Sequence, residues 1–361
     1  MTHFGREVLP YGVFSVGAGP RRVGVAVDDG VLDLAEALGP SWEVPSLNAF
    51  LAQGRARWTA VREQVRGMLD RPLVPASEVS LHLPFEVADY VDFYASEQHA
   101  TNLGRMFRPD GDPLLPNWKH LPVGYHGRAG TVVVSGTDVR RPGGLRGPGP
   151  AYGPSEKLDV EVEVGFVVGV GSELGAPVST AAFEEHVFGI VLLNDWSARD
   201  IQAYEYVPLG PFLGKSFATS ISPWVVPLEA LDRVPAPVQD PPVADYLQVS
   251  GDWALDLRLE LSLNGCVLSR PPFAGMYWTG PQLLAHLTAN GASLRTGDLF
   301  ASGTVSGDAV DERGSLIELT WNGRDPFAGR TFLEDGDEAT ITARTASGLP
   351  LGTVTGRIRP T

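Results

Sequence analysis

The sequence predicts a mainly β protein of the α+β class, with a small β-rich unit over residues 1–84 and a larger mixed β-sandwich or roll over 85–361. Three observations carry this. Short apolar–polar alternations recur along the chain, separated by turn pairs such as Asn322-Gly323. Helical patterns are isolated, so the sustained strand–helix alternation of a parallel α/β sheet is missing. Closely spaced prolines at Pro72–Pro84 mark a composition shift and a candidate linker.

Bulk properties narrow the function classes. A chain of 361 residues, 43% of them hydrophobic, has ample material for the cores of two domains. The 28 Lys and Arg against 43 Asp and Glu give a net charge of -15, which argues against nucleic-acid and anionic-membrane partners. An anionic small molecule stays open, because local cations override a global field. The single Cys266 excludes an intramolecular disulfide framework and a thiolate zinc site. No leader-like apolar stretch and no membrane-length apolar run occur, so a soluble cytoplasmic protein is expected.

In chain order, Arg22–Val27 and Val31–Leu34 flank Asp28-Asp29-Gly30 and predict a hairpin. Ser46 is placed to cap a helix over Leu47–Gln53, and Arg57–Leu69 reads as a second helix. Ser96 is placed to cap another, which sets His99 at its third position. Thr131–Val134 is strand-like, and the Gly/Pro-rich Pro142–Pro154 reads as a flexible connector. A short helix near Ala181–Val187 leads into a strand at Phe188–Leu193. Residues 253–263 alternate Asp256, Arg258 and Glu260 with apolar residues, a solvated strand face. Pro281–Ala289 is a helix, and Leu316–Trp321 reads as a strand holding one acid, Glu318.

The segment Leu158–Val168 organises the rest. Val160, Val162 and Val164 alternate with Glu161 and Glu163, so both acids share one face of a strand, with Cα atoms roughly 6.5–7 Å apart. Alone, the pattern suits a solvated face as well as half of a cation site. Asp92 and Asp195 lie in similarly apolar surroundings. Four carboxylates without a thiolate suit a hard cation, Mg²⁺ or Ca²⁺. His99 is then a candidate base, Glu318 an acid to orient it, and Arg199 and Lys215 cationic donors. Together they form a hydrolytic set without a covalent nucleophile.

The run Phe93-Tyr94-Ala95-Ser96-Glu97-Gln98-His99-Ala100-Thr101-Asn102 and the motif Asn194-Asp195-Trp196-Ser197-Ala198-Arg199-Asp200 resemble the fumarylacetoacetase family, as do Asn117–Arg128, Tyr206–Phe217, Ser302–Gly307 and the opening Leu9–Ser15. The resemblance spans nearly the whole chain. It implies an SH3-like N-terminal barrel before the β-roll, a homodimer, and a metal held by Asp92, Glu161, Glu163 and Asp195, with Lys215 and Thr219 at positions associated with the metal. It further implies His99 as base with Glu318 behind it, oxyanion donors Arg199, Gln202 and Lys215, and substrate contacts from Tyr94, Arg108, Tyr125, Gln202, Tyr206 and Thr304. The implied reaction is metal-dependent hydrolysis of the carbon–carbon bond of a 1,3-diketone, fumarylacetoacetate, in tyrosine and phenylalanine degradation. Two rivals stand beside it: another chemistry on the same carboxylate site, such as acylpyruvate hydrolysis, oxaloacetate decarboxylation or hydration of a dienoic acid, and a binding protein whose carboxylates only hold a cation.

Overall fold

The computed structural model describes residues 3–361. Its N-terminal strands are β1 (Tyr11–Val16), β2 (Arg22–Val27), β3 (Gly30–Asp33), β4 (Val74–Pro75) and β5 (Val79–His82). The expected hairpin forms, with Val27 opposite Gly30. Asp28 takes the left-handed conformation (φ 50°) such a tight turn needs and aspartate tolerates. β1 pairs with β2 on one edge; on the other, Tyr11 and Gly12 face Val225 and Trp224, while Val13–Val16 face β5. These strands close no barrel among the described residues, contrary to the SH3-like expectation; they run on into the C-terminal sheet. The stretch expected as a linker supplies β4 and β5, because Val74, Val79 and Leu81 pack on the main core and the backbone pairs with β3 and β1.

Eight further strands complete the 13-stranded sheet: β6 (Tyr90–Phe93), β7 (Gly124–His126), β8 (Val132–Val134), β9 (Val162–Val168), β10 (Val187–Asp195), β11 (Thr219–Ile221), β12 (Trp224–Pro227) and β13 (Leu299–Ala301). β9 pairs antiparallel with β10 and β13, and β13 runs parallel to β6. β10 also carries β11 and β12. Val160, Val162, Val164, Phe166 and Val168 enter one core, and Val167 enters the opposite one. The period-2 pattern thus sets which way this segment faces and leaves Glu161 and Glu163 on the side away from the main core. Glu161 lies one residue before β9, in a bridge to Ser315.

A second sheet of five strands includes Leu257–Leu263, where Leu257, Leu259, Leu261 and Leu263 are buried and Arg258 is exposed, as the alternation predicts. The helices at Phe183–His186 and Gly280–Thr288 match expectation. Two stretches do not. Residues 142–154 form a hairpin, Gly143–Arg146 against Ala151–Pro154, whose glycines permit close approach to the Arg199 helix: a Cβ on Gly144 would lie 2.7 Å from Ile201 Cδ1. Leu316–Leu319 is a short helix and not a strand, because its leading amides find a carboxylate acceptor and no strand partner. Among the described residues no helix is long and apolar enough to cross a membrane.

Candidate active site

The sheet brings four acids together. Asp92 comes from the middle of β6, Glu161 from the residue before β9, Glu163 from its start, and Asp195 from the end of β10. All are buried, and one oxygen from each lies within 4.8 Å of the others. Cations bound at roughly 2.0–2.6 Å by oxygen can bridge such a spread. Among the described residues neither Glu163 oxygen nor Asp92 Oδ1 has a hydrogen-bond partner. Buried, unpartnered carboxylate oxygens are costly, so the donor set fits a hard divalent cation. Burial, reinforced by the neighbouring acids, pushes Glu163 and Asp92 well above the ordinary carboxylate range. Burial would push Glu161 up too, but Arg199 and Lys215 outweigh it and hold this acid below its ordinary value.

Lys215 and Thr219 enter as hydrogen-bond donors. Lys215 Nζ donates to Glu161 Oε2 and, at 2.8 Å, to Asp195 Oδ2. Burial alone would lower its pKa, but Asp195 and Glu161 raise it, so it is an ammonium with no lone pair for a metal. It braces two of the four carboxylates, Glu161 and Asp195. Thr219 Oγ1 donates to Asp195 Oδ1 at 3.0 Å, and the Tyr125 phenol donates to Asp195 Oδ2 at 2.6 Å.

His99 stands beside this cluster. Ser96 caps its helix, Glu97–Phe107, by accepting from the His99 amide at 3.2 Å, as the sequence predicts. His99 Nδ1 donates to Glu318 Oε2 at 2.6 Å, which leaves Nε2 facing the acids, 3.8 Å from Glu161 Oε1. Glu318 also accepts from Asn102 Nδ2 (2.9 Å), Ser306 Oγ (2.9 Å) and Ser315 Oγ (2.7 Å). Burial would raise its pKa, but His99 and these donors lower it, so it stays an ionised acceptor. Asn102, Ser306 and Ser315 escaped the sequence reading. Asn102 lies three residues after His99 on one helix face, a spacing that could have exposed it.

A cavity of about 620 Å³ opens onto Asp92. Tyr94, Arg108, Tyr125, Arg199, Gln202 and Tyr206 line it, between apolar walls that include Leu103, Trp118 and Phe212. Arg199 Nη1 donates to Gln202 Oε1 at 3.2 Å and Nη2 to Glu161 Oε1 at 2.7 Å, and each nitrogen retains a second N–H for a ligand. Arg108 Nη2 donates to the Pro113 carbonyl at 2.7 Å. Thr304 is buried and does not line the cavity.

Residues 7–84 match the family described as "Fumarylacetoacetase N-terminal" and residues 89–359 the family "Fumarylacetoacetate (FAA) hydrolase C-terminal". The fumarylacetoacetase of Rattus norvegicus is 46% identical over 384 residues, covering 94% of this chain and 92% of the rat protein. That of Arabidopsis thaliana is 43% identical, covering 99% and 96%. The chain belongs to the fumarylacetoacetase family. Solved structures share the fold: a fumarylacetoacetate hydrolase from Exiguobacterium antarcticum has a TM-score of 0.63 at 16% identity, covering 98% of this chain and 100% of its own. A maleylpyruvate hydrolase from Sphingobium sp. SYK-6 has 0.58 at 17%, with the same coverage.

The carboxylates of this fumarylacetoacetase-family site make a pH prediction. Without metal, Asp92 and Glu163 have raised pKa values, so the folded state holds protons that the unfolded chain has released. Their penalty on the fold is absent below the unfolded carboxylate pKa and grows as pH rises through the folded values. Glu161, with a lowered pKa, contributes the opposite sign: its stabilisation is present above the unfolded pKa and fades as pH falls through the folded one. Cation binding needs all four deprotonated and releases protons. The rise in Tm on adding Mg²⁺ should therefore be larger at pH 8 than at pH 5.5, with proton uptake by buffer detectable calorimetrically. Equal increments at both pH values would contradict this.

Proposed function

We propose that this protein hydrolyses the carbon–carbon bond of fumarylacetoacetate to fumarate and acetoacetate, the last step of tyrosine and phenylalanine degradation. The observation that carries the reading is the pairing of a buried four-carboxylate cluster, with both Glu163 oxygens unpartnered, and a His99–Glu318 pair aimed at it. Asp92, Glu161, Glu163 and Asp195 would hold Mg²⁺ or Ca²⁺, which supplies Lewis-acid stabilisation of negative charge on substrate oxygens.

The residues divide the remaining work. His99 Nε2 takes a proton from water, and the Nδ1 bond to Glu318 holds the ring and stabilises its charged form. The water oxygen adds to the carbonyl carbon of the fumaryl group. Lys215, Arg199 and Gln202 donate to the resulting oxyanion. The oxyanion then re-forms the carbonyl as the bond between that carbon and the acetoacetate methylene breaks; the electron pair leaves with the methylene carbon, which takes up the proton held by His99. Arg108, Tyr94, Tyr125 and Tyr206 line the cavity where the substrate's carboxylates and chain would lie, which suits an anion to an acidic protein. Thr304 is the substrate contact least supported, since it lies off the cavity wall.

We further propose a homodimer, as the resemblance implies, working in the cytoplasm, where the exposed free thiol of Cys266 suits a reducing compartment. Light scattering at micromolar concentration tests the dimer. Arg108→Leu tests the anchor: KM for fumarylacetoacetate should rise about 30-fold with kcat within threefold, the loss of one charge-assisted hydrogen bond worth about 2 kcal/mol. An unchanged KM would remove Arg108 from the substrate site. Steady-state rates with fumarylacetoacetate against acylpyruvates test the reaction itself; preference for an acylpyruvate would overturn the assignment.

A further inference from the structure

We infer that Asp159 is a positioning residue that ties Arg199 to the His99–Glu318 pair; this rests on the roles proposed above for those three. Asp159 is buried and does not line the cavity. Its two oxygens take four donors. Oδ2 accepts from Arg199 Nε at 2.8 Å and from the Ile317 amide at 3.1 Å. Oδ1 accepts from the Leu316 and Val160 amides, both at 2.8 Å.

Leu316 and Ile317 open the Leu316–Leu319 helix that carries Glu318. The residue before it, Ser315, gives this helix no side-chain cap, and its hydroxyl donates to Glu318 Oε2. The leading amides thus depend on a carboxylate from another element. The same carboxylate fixes the guanidinium so that its Nη edge turns toward Glu161 and Gln202. Removing Asp159 leaves Glu161 as the only carboxylate on Arg199 and uncaps the turn under Glu318. One side chain therefore sets the oxyanion donor and the orienter of the base together, without touching substrate. Asp159, Glu161 and Glu163 continue one alternation, so the residue that aligns the machinery is built into the segment that bears the cation ligands.

The test uses the full chain. Asp159→Asn keeps the size but removes the charge, and Asp159→Ser is carried beside it because its short side chain admits water to the same amides. In either folded variant kcat should fall about 100-fold, as misplacement of a reacting group costs, with KM within about threefold. In double-mutant cycles that loss should shrink to less than about tenfold in the Arg199→Gln background and again in the Glu318→Gln background. A residue that only supports the fold would lower Tm and give additive losses in both cycles, which would overturn the inference. A readout independent of the reaction is the His99 Nδ1 proton in ¹⁵N-histidine spectra. It should move in both Asp159 variants; an unmoved resonance would sink the link through Glu318. Failure of the proposed reaction would show separately, as no turnover of fumarylacetoacetate by the unmodified protein.

Discussion

Replacing His99 with alanine should lower kcat for fumarylacetoacetate by about 10³-fold, within the usual contribution of a positioned general base. Divalent-metal affinity should stay within a few fold. The two expectations separate because His99 Nε2 stands 3.8 Å from Glu161 Oε1 and bonds none of the four carboxylates, while its Nδ1 is committed to Glu318. Its removal also strips Glu318 of one of four donors, leaving those from Asn102, Ser306 and Ser315. The fold should therefore persist, with a Tm drop of a few degrees. Steady-state rates with a parallel Mg²⁺ titration check both halves. Near-normal turnover would remove His99 from the chemistry. Lost metal affinity with intact fold would make it part of the metal site.

Glu163→Gln should separate stability from metal binding in the opposite way. Both Glu163 oxygens lack a partner, and burial with three acids nearby raises the cost of its charge. In the metal-free protein the amide removes the cost of burying that charge or of taking up a proton to neutralise it, and it can donate to a neighbouring carboxylate. The metal-free variant should consequently melt a few degrees higher than the unmodified protein. Its Mg²⁺ affinity should fall by more than the 10–100-fold that residues merely supporting metal ligands cost. Paired melts with EDTA and with Mg²⁺ read both effects. A metal-free melting point below that of the unmodified protein, or unaltered affinity, would contradict this account of Glu163.

The parts legible in the sequence are those decided by neighbours. The alternation over 160–168 fixes which side chains enter the core, and Ser96 three residues before His99 fixes a cap; both hold in the structure. Elements settled by distant partners were not legible. Leu316–Leu319 looks like a strand because an acid is flanked by apolar residues, yet its amides are claimed by Asp159, which is 157 and 158 positions away in sequence. The Pro72–Pro84 stretch reads as a linker from its prolines, yet Val79–His82 pairs with β1 through long-range contacts. The glycines of 143–154 signal flexibility to a local reading; in the fold they let a hairpin lie against Ile201. The cluster behaved differently: no local pattern dictates that Asp92, Glu161, Glu163 and Asp195 meet, but acids on otherwise apolar strands are expensive enough to betray a shared purpose.

The central claim is that the buried carboxylate cluster makes hydrolysis of fumarylacetoacetate depend on a divalent cation. Its most direct test follows the loss of diketone absorbance after the protein has been stripped with EDTA, before and after Mg²⁺ or Ca²⁺ is restored. The account predicts negligible loss in the stripped protein and recovery of turnover on adding the cation. Full turnover without metal, or none after the cation is restored to correctly folded protein, would contradict it.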